Sequence, residues 1–393
     1  MSVKKTIIEK ASRLFQLPPD LESLIRPGHV RGIIHRQEVV DLMNLQWPRS
    51  EDLGTEEADW ITAASTKEIA ELKEALAAWY LSTHGVRLNP VHEVFLGGSI
   101  SSIMLQMSLA FIERGDLAFV PELGLPLYRK VVSAAEGESV AYAVSAKDRW
   151  RPGFEKVSTR LGRVARLLFL NSPHNPTGFE LSEKDFGDLV WTAARENILI
   201  VADTAYRNIR GRTGGVLLAV TGGKKVGVEV GSFAYNFGLP PLPFGYVVGH
   251  RDAISGLRAT RSLIRDRFPR AFVKLADRAL RQYPSEAVQQ ISEDCRQAGA
   301  AAVALRSTLG LEDVGYDTTP FVWTRVESGG RSTRAADVLF RRSRVLVGPG
   351  RAFGETGHGY LRLSLLAGSP AFAEATRRIG KRKGLLRLVD DDA

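Results

Sequence analysis

Along the middle of the chain, short apolar runs alternate with stretches whose apolar residues recur every three or four positions. The runs at His92–Leu96, Leu117–Pro121, Ser139–Val144, Arg166–Leu170, Ile198–Ala202, Val228–Phe233 and Phe244–Val248 have the length and composition of strands. From Thr66 to about His84 the pattern predicts a helix. Thr66 is a capping-type residue, Gly85 is a stop, and Ile69, Leu72, Leu76, Trp79 and Tyr80 make one apolar face. Ser182 and Asp185 have capping-box spacing ahead of Phe186, Leu189 and Val190. From about Phe268 a long helical stretch leads to a second α/β region, with strands near Phe321–Val326, Val345–Val347 and Tyr360–Leu365. This alternation predicts a sheet with crossover helices, followed by a smaller domain assembled from both chain ends. No internal repeat or low-complexity linker interrupts it.

Composition changes this picture little. The 393 residues are 44% hydrophobic and 25% charged, as in an ordinary globular protein with a large core. No apolar run reaches the ~18–20 residues that span a bilayer. The opening MSVKKTIIEKASRLF has no secretory apolar region or cleavage site. The single cysteine, Cys295, excludes an internal disulfide and fits a reducing compartment, so a cytoplasmic protein without membrane contact is expected. The net charge of +9 raises the question of nucleic acid, but the basic residues are scattered and no nucleic-acid motif accompanies them. Arg377, Arg378, Lys381, Arg382 and Lys383 read as a solvated helix end. Arg258, Arg261 and Arg265 fall at helical spacing and read as a polar face, with a nearby anionic ligand as the alternative. No metal site is expected.

The strongest local signal is Asn171-Ser-Pro-His-Asn-Pro-Thr-Gly178, directly after a buried strand. Asn-Pro-Thr-Gly is a turn sequence in its own right. It lies, however, where open α/β sheets place ligands, at the carboxyl end of a strand. The next strand ends in Asp203-Thr-Ala-Tyr206. A carboxylate there is costly to bury unless a cation or a protonated ring nitrogen faces it. Upstream, Gly97-Gly98-Ser99-Ile-Ser101-Ser102 separates a strand from an apolar helix, a setting whose free N–H groups and hydroxyls suit a phosphate. His174 and His358 flank these motifs as turn residues, and they are the replacement general bases available near neutral pH.

Together these segments resemble the fold-type I, class I aminotransferases, which use pyridoxal phosphate (PLP), and most of all the subgroup that includes diaminopimelate aminotransferase. The resemblance runs from Arg13-Leu-Phe-Gln-Leu-Pro-Pro19 through Arg351-Ala-Phe-Gly354 to Tyr360-Leu-Arg-Leu-Ser364. It implies a mostly parallel seven-stranded sheet in a large domain and a small split α/β domain. The implied divisions are 1–48 and 281–393 for the small domain and 49–280 for the large one. It further implies that Asn175 and Tyr206 contact the ring oxygen of PLP, that Asp203 pairs with its ring nitrogen, and that Gly98, Ser99 and Ser232 hold its phosphate. Arg362 would clamp a substrate carboxylate, a bidentate task that suits guanidinium. A homodimer is implied as well.

Several positions depart from the family pattern. Where the family reads Ser-x-Ser-Lys, this chain reads Ser232-Phe-Ala-Tyr235, and the phosphate-binding Arg becomes Pro243. The ring-stacking aromatic becomes Leu125, the tyrosine given by a neighbouring subunit becomes Ala63, and the family's N-terminal glycine pair is missing from Met43-Asn-Leu-Gln-Trp-Pro48. A phenol cannot form an imine, and its ordinary pKa near 10 makes it a poor base. From these departures follows the expectation of an enzyme without the cofactor-binding lysine. It would act on a small carboxylate or amino-acid substrate by non-transaminase chemistry and independently of PLP, with Tyr235, Tyr206, Asp203 and His174 as catalytic candidates. The alternatives are a non-catalytic relative that binds a metabolite or partner subunit, and an enzyme that holds PLP or its amine form (PMP) non-covalently.

Overall fold

The structure, a computed structural model, describes residues 39–44, 55–154, 157, 165–210, 214–239, 241–264, 267–326 and 332–381. The Arg13–Pro19 motif, Trp47, Pro48, Arg265, Arg382 and Lys383 lie outside these residues, as does most of the expected 1–48 segment.

In chain order the first elements are β1 (Val40–Asp41), α1 (Glu57–Ile61), α2 (Thr66–His84), β2 (Val94–Gly97), α3 (Ile100–Phe111), β3 (Leu117–Pro121), α4 (Leu127–Ala134) and β4 (Glu138–Tyr142). Then come β5 (Ala165–Asn171), α5 (Glu183–Glu196), β6 (Leu199–Asp203), β7 (Gly227–Ser232), α6 (Phe233–Phe237), β8 (Gly245–Gly249) and α7 (Arg251–Ile264). Strands β2 to β8 form one seven-stranded sheet in the order β2-β8-β7-β6-β5-β3-β4. Only β8 runs against its neighbours. The sheet is apolar on both faces, as expected when crossover helices cover both sides. Along β5, Leu168 and Leu170 join one core while Leu167 and Phe169 join the other.

The seven strands match the seven apolar runs, with small shifts at their ends. His92 is excluded from β2 because the side chain of Asn89 accepts from the backbone N–H groups of Val91 and His92, closing a turn before the strand. Helix α2 has the expected limits, but its cap is Ser65 rather than Thr66. Ser65 Oγ accepts from Glu68 N, while Glu68 Oε2 accepts from Ser65 N at 2.8 Å. The Ser182–Asp185 capping box forms as expected.

The long helical stretch after Phe268 is two helices, α8 (Arg270–Arg281) and α9 (Glu286–Leu309). Pro284 lacks the N–H that continuation requires. Beyond them lie β9 (Leu311–Asp313), β10 (Phe321–Val326), α10 (Ser332–Ser343), β11 (Val345–Leu346), β12 (Gly348–Pro349), β13 (Tyr360–Ser364) and α11 (Gly368–Gly380). Four of these strands form an antiparallel sheet, β12-β13-β10-β9. The expected strand near Val345–Val347 is shorter. Its residues pair in parallel with β1, which brings Val40 and Asp41 against Val345 and Leu346. Residues from α9, α10, α11 and both small sheets share a second apolar core.

Candidate active site

Three neighbouring strands of the large sheet, β5, β6 and β7, end at Asn171, Asp203 and Ser232. Asn171 and Asp203 are directly paired in register, so the loops that follow leave one edge together. Asn171 Nδ2 donates to the backbone carbonyl of Asp203 at 3.0 Å, and its Oδ1 accepts from Asn175 N at 2.7 Å. The Asn175–Gly178 turn is then fixed from the other side. Tyr316 N donates to Thr177 O at 2.8 Å, and Thr318 donates to Gly178 O. Gly178 has φ +75°, and a Cβ there would sit 2.2 Å from the carbonyl oxygen of Tyr316, so the close approach requires glycine.

Asp203 is buried, and burial pushes its carboxyl up to about 6, with the hydrogen bonds from Ala205 N and Tyr128 acting the other way. Tyr128 donates to Oδ2 at 2.9 Å and Ala205 N to Oδ1 at 3.1 Å. Asn175 Nδ2 donates to Tyr206 Oη at 3.2 Å. Arg362, from β13 of the second sheet, donates from Nη1 to Asn175 Oδ1 at 3.1 Å and from Nη2 to Met43 O at 2.8 Å. Its Nε is buried and has no hydrogen-bond partner among the described residues. The guanidinium lies 4.0 Å from the centroid of Phe321 and 4.9 Å from that of Phe353. Burial pulls its pKa down to about 10, against the pull of Tyr206, Tyr235 and Asp41. A buried, desolvated guanidinium with an unpaired donor is a receptor for an anion, and a carboxylate fits it bidentately.

Tyr235 stands in α6, its ring centroid 5.6 Å from that of Tyr206. Burial and the neighbouring Asp203 raise its pKa, while Arg362 acts in the opposite direction. Its phenol therefore keeps its proton at neutral pH. Ser99 caps α3, its Oγ accepting from Ser102 N at 3.2 Å. Ser232 caps α6 in the same manner, accepting from Tyr235 N. Leu125 packs between the two cores of the large sheet, and Pro243 is exposed.

Asp203, Tyr206, Asn175, Ser232, Tyr235 and Arg362 thus converge, as their motifs suggested. His174 does not belong with them as a base. Its Nδ1 contacts Thr177 Oγ1 at 2.8 Å, its Nε2 contacts Leu123 O at 3.0 Å, and burial lowers its pKa to about 4. Both nitrogens brace the Asn-Pro-Thr-Gly turn. His358 is exposed. Sequence reasoning missed Tyr128, Phe321, Phe353 and Asn236. Asn236 Oδ1 accepts from Ser232 N at 2.8 Å and its Nδ2 donates to Thr204 O at 2.9 Å, tying the ends of β6 and β7 together. The only signal for these residues was polarity or aromaticity close to a strand end. Among the described residues no group of three His, Cys, Asp or Glu side chains could hold a metal ion, and no helix is long and apolar enough to cross a membrane.

The aminotransferase class I and II family model matches residues 59–374. The chain belongs to this family. The LL-diaminopimelate aminotransferase of Halothermothrix orenii is 27% identical over 95% of this chain and 98% of its own length. That of Dehalococcoides mccartyi is 30% identical, over 76% of this chain and 78% of its own length. The solved structure of apo-BacF from Bacillus subtilis, 23% identical, superposes with a TM-score of 0.84 over 95% of this chain and 98% of that one, a likeness of fold. The chain is a fold-type I aminotransferase of the diaminopimelate aminotransferase-like subgroup.

These relatives correct two expectations. Tyr235, Pro243, Leu125, Ala63 and the missing glycine pair suggest a PLP-independent enzyme with non-transaminase chemistry, or a non-catalytic relative. That expectation is overturned by relatives that are named as aminotransferases along most of the chain. The expectation of no covalently bound cofactor, with PLP or PMP held non-covalently as the alternative, falls with it, because this is a PLP family. The physical reason is that departures at single contacts outweighed the rest of the pocket. Asp203, Asn175, Tyr206 and Arg362 are assembled and buried regardless of residue 235.

The residues present fit PLP in three respects. Asp203 is a buried carboxylate whose pKa is raised, and a protonated ring nitrogen beside it would relieve that. Asn175 and Tyr206 form a polar pair beside it. The N-terminus of α3 supplies N–H groups for a phosphate.

Proposed function

We propose that this aminotransferase acts on an α-amino acid with PLP as its cofactor. The observation that carries the reading is the linked set Arg362–Asn175–Tyr206, with Arg362 Nε left without a partner among the described residues. Arg362 would take the α-carboxylate. Asn175, shared between Arg362 and Tyr206, would hold the substrate carboxylate and the cofactor's ring oxygen at a set separation. Asp203 would face the ring nitrogen and keep it protonated, and Gly98, Ser99 and Ser232 would face the phosphate. PLP, when bound, supplies an electron sink for the bonds at the amino acid's α-carbon. Residue 235 contributes a hydroxyl to this pocket rather than an amine. Burial and Asp203 keep its proton in place.

Purified protein incubated with PLP and a panel of amino acids that includes glutamate and LL-diaminopimelate should release the matching keto acid, detected by mass spectrometry. If no keto acid forms from any of them, the reading fails. The same reading carries a homodimer, supported by Ile61, an apolar side chain that is 87% exposed beside Ala63. A monomer by mass photometry at micromolar concentration would remove that part.

A further inference from the structure

Outside the site just described, a cavity of about 330 Å³ opens between α9, the β9–β10 connection and the segment after β6. It has the size of a small-metabolite pocket. Arg210 and Arg306 line it, and both are largely buried, with 7% and 15% of their side chains exposed. Each forms an ion pair with an aspartate at the rim, Asp317 and Asp313, and those carboxylates are 76% and 51% exposed. Two donors are nevertheless unmatched. Nη1 of Arg210 and Nε of Arg306 are buried without a hydrogen-bond partner among the described residues. Arg210 also hydrogen-bonds Cys295, whose thiol burial pushes up to about 12, so this neighbour brings no negative charge. Arg296 stands at the edge, its charge already matched by Glu293.

The wall contributed by α9 carries Gly299, in the interior of a 24-residue helix. Glycine there costs helix stability relative to alanine. Packing does not demand it, because a Cβ at Gly299 would meet nothing within 4 Å among the described residues. The space it leaves belongs to the cavity. Val303, one turn further on, and Phe321 add apolar surface. Phe321 also separates this cavity from the amino-acid site, since Arg362 lies over its ring.

We propose that this cavity binds a small organic anion, with a carboxylate or phosphate on Arg210 and Arg306 and an apolar body over Val303 and Phe321. The unmatched buried donors call for an acceptor with negative charge, and the pocket's apolar wall calls for more than a bare ion.

Calorimetric titration of the full-length protein with phenylacetate, phenyl phosphate and inorganic phosphate tests this. At least one aromatic anion should bind saturably, and more tightly than inorganic phosphate. The arm that binds better identifies the head group. Gly299→Leu, which fills the cavity, and Arg306→Gln should each weaken that binding by about tenfold or more, while Arg362→Ala leaves it within about twofold. Gly299→Leu should unfold at or above the parent temperature, since it replaces a helix glycine. Absence of saturable binding by both aromatic anions overturns the proposal. Loss of binding in Arg362→Ala with retention in Gly299→Leu also overturns it, because the probes would then occupy the amino-acid site. Equal affinity for inorganic phosphate removes the apolar body from the ligand.

Discussion

Arg362 donates to the side-chain oxygen of Asn175 at 3.1 Å across 187 positions of sequence, joining the second sheet to the carboxyl edge of the first. Asn175 passes the contact on to Tyr206. A change in either residue therefore alters the position of both the Arg362 guanidinium and the Asn175–Tyr206 pair.

Arg362→Ala should weaken α-carboxylate ligands by about 2–4 kcal/mol, because it removes a buried charged donor set. Calorimetry with the amino acid that proves to be the substrate reads this directly. Arg362→Lys should not restore affinity, since an ammonium lacks the planar fork and has no contact equivalent to the one over Phe321. Unchanged affinity in Arg362→Ala would place the carboxylate elsewhere.

Asp203 links stability to pH in the ligand-free protein. Its folded pKa, raised to about 6, lies above the ordinary value of 3.8. The folded state therefore holds its proton more tightly than the unfolded state between those values, and stability falls as pH rises from about 4 to 6. Above pH 6 the cost of the buried charge is complete. Asp203→Asn should thus raise the unfolding temperature of ligand-free protein at pH 7, and the difference from the parent should shrink towards pH 4. The same variant should bind PLP less well, because the partner of the ring nitrogen is gone. A pH-independent difference would mean that Asp203 is ordinarily acidic.

Tyr235→Phe tests the hydroxyl in the site. Keto-acid formation should fall while the affinity of carboxylate ligands changes little, since Arg362 holds them. In absorbance titration near 295 nm the phenylalanine variant should show one fewer of the tyrosines that stay protonated beyond their ordinary range than the parent. Full turnover in the variant would leave Tyr235 a packing residue.

Behind the site, Arg207 and Glu229 form a buried bidentate pair at 2.7 and 2.8 Å, with Tyr80 and Leu217 N also on the carboxylate. Burial opposes the charge on Glu229, yet Arg207 outweighs it and the pKa is lowered. Glu229→Gln should destabilise by about 3–5 kcal/mol, because it strands the Arg207 charge in the core. Glu229→Gln combined with Arg207→Met should recover part of that loss. Urea unfolding of the three variants would show it, and additive losses would indicate that the two side chains do not act as a pair.

The large sheet could be read from the sequence because it is buried on both faces. Its strands must then be continuous apolar runs, and the glycines, prolines and capping residues between them mark where each ends. The chemistry at the strand ends was legible for a related reason. A buried Asp203, Asn175 or Arg362 is unfavourable without a partner, so its presence beside an apolar run already points to a ligand. The cap at Ser65, the break at Pro284 and the turn at Asn89 are local too, although helical periodicity alone misplaces them by a residue or joins two helices into one.

The rest was settled only by distant parts of the chain meeting. His174 became a brace because Leu123 and Thr177 close on its two nitrogens, and no spacing rule brings Leu123 to it. Tyr128 reaches Asp203 across 75 positions, and Phe321 and Phe353 reach Arg362 from two different segments. Local pattern reports which residues are buried, because burial is a property of one side chain and its element. Which buried groups touch depends on how sheets and helices pack, and that is decided by the core as a whole.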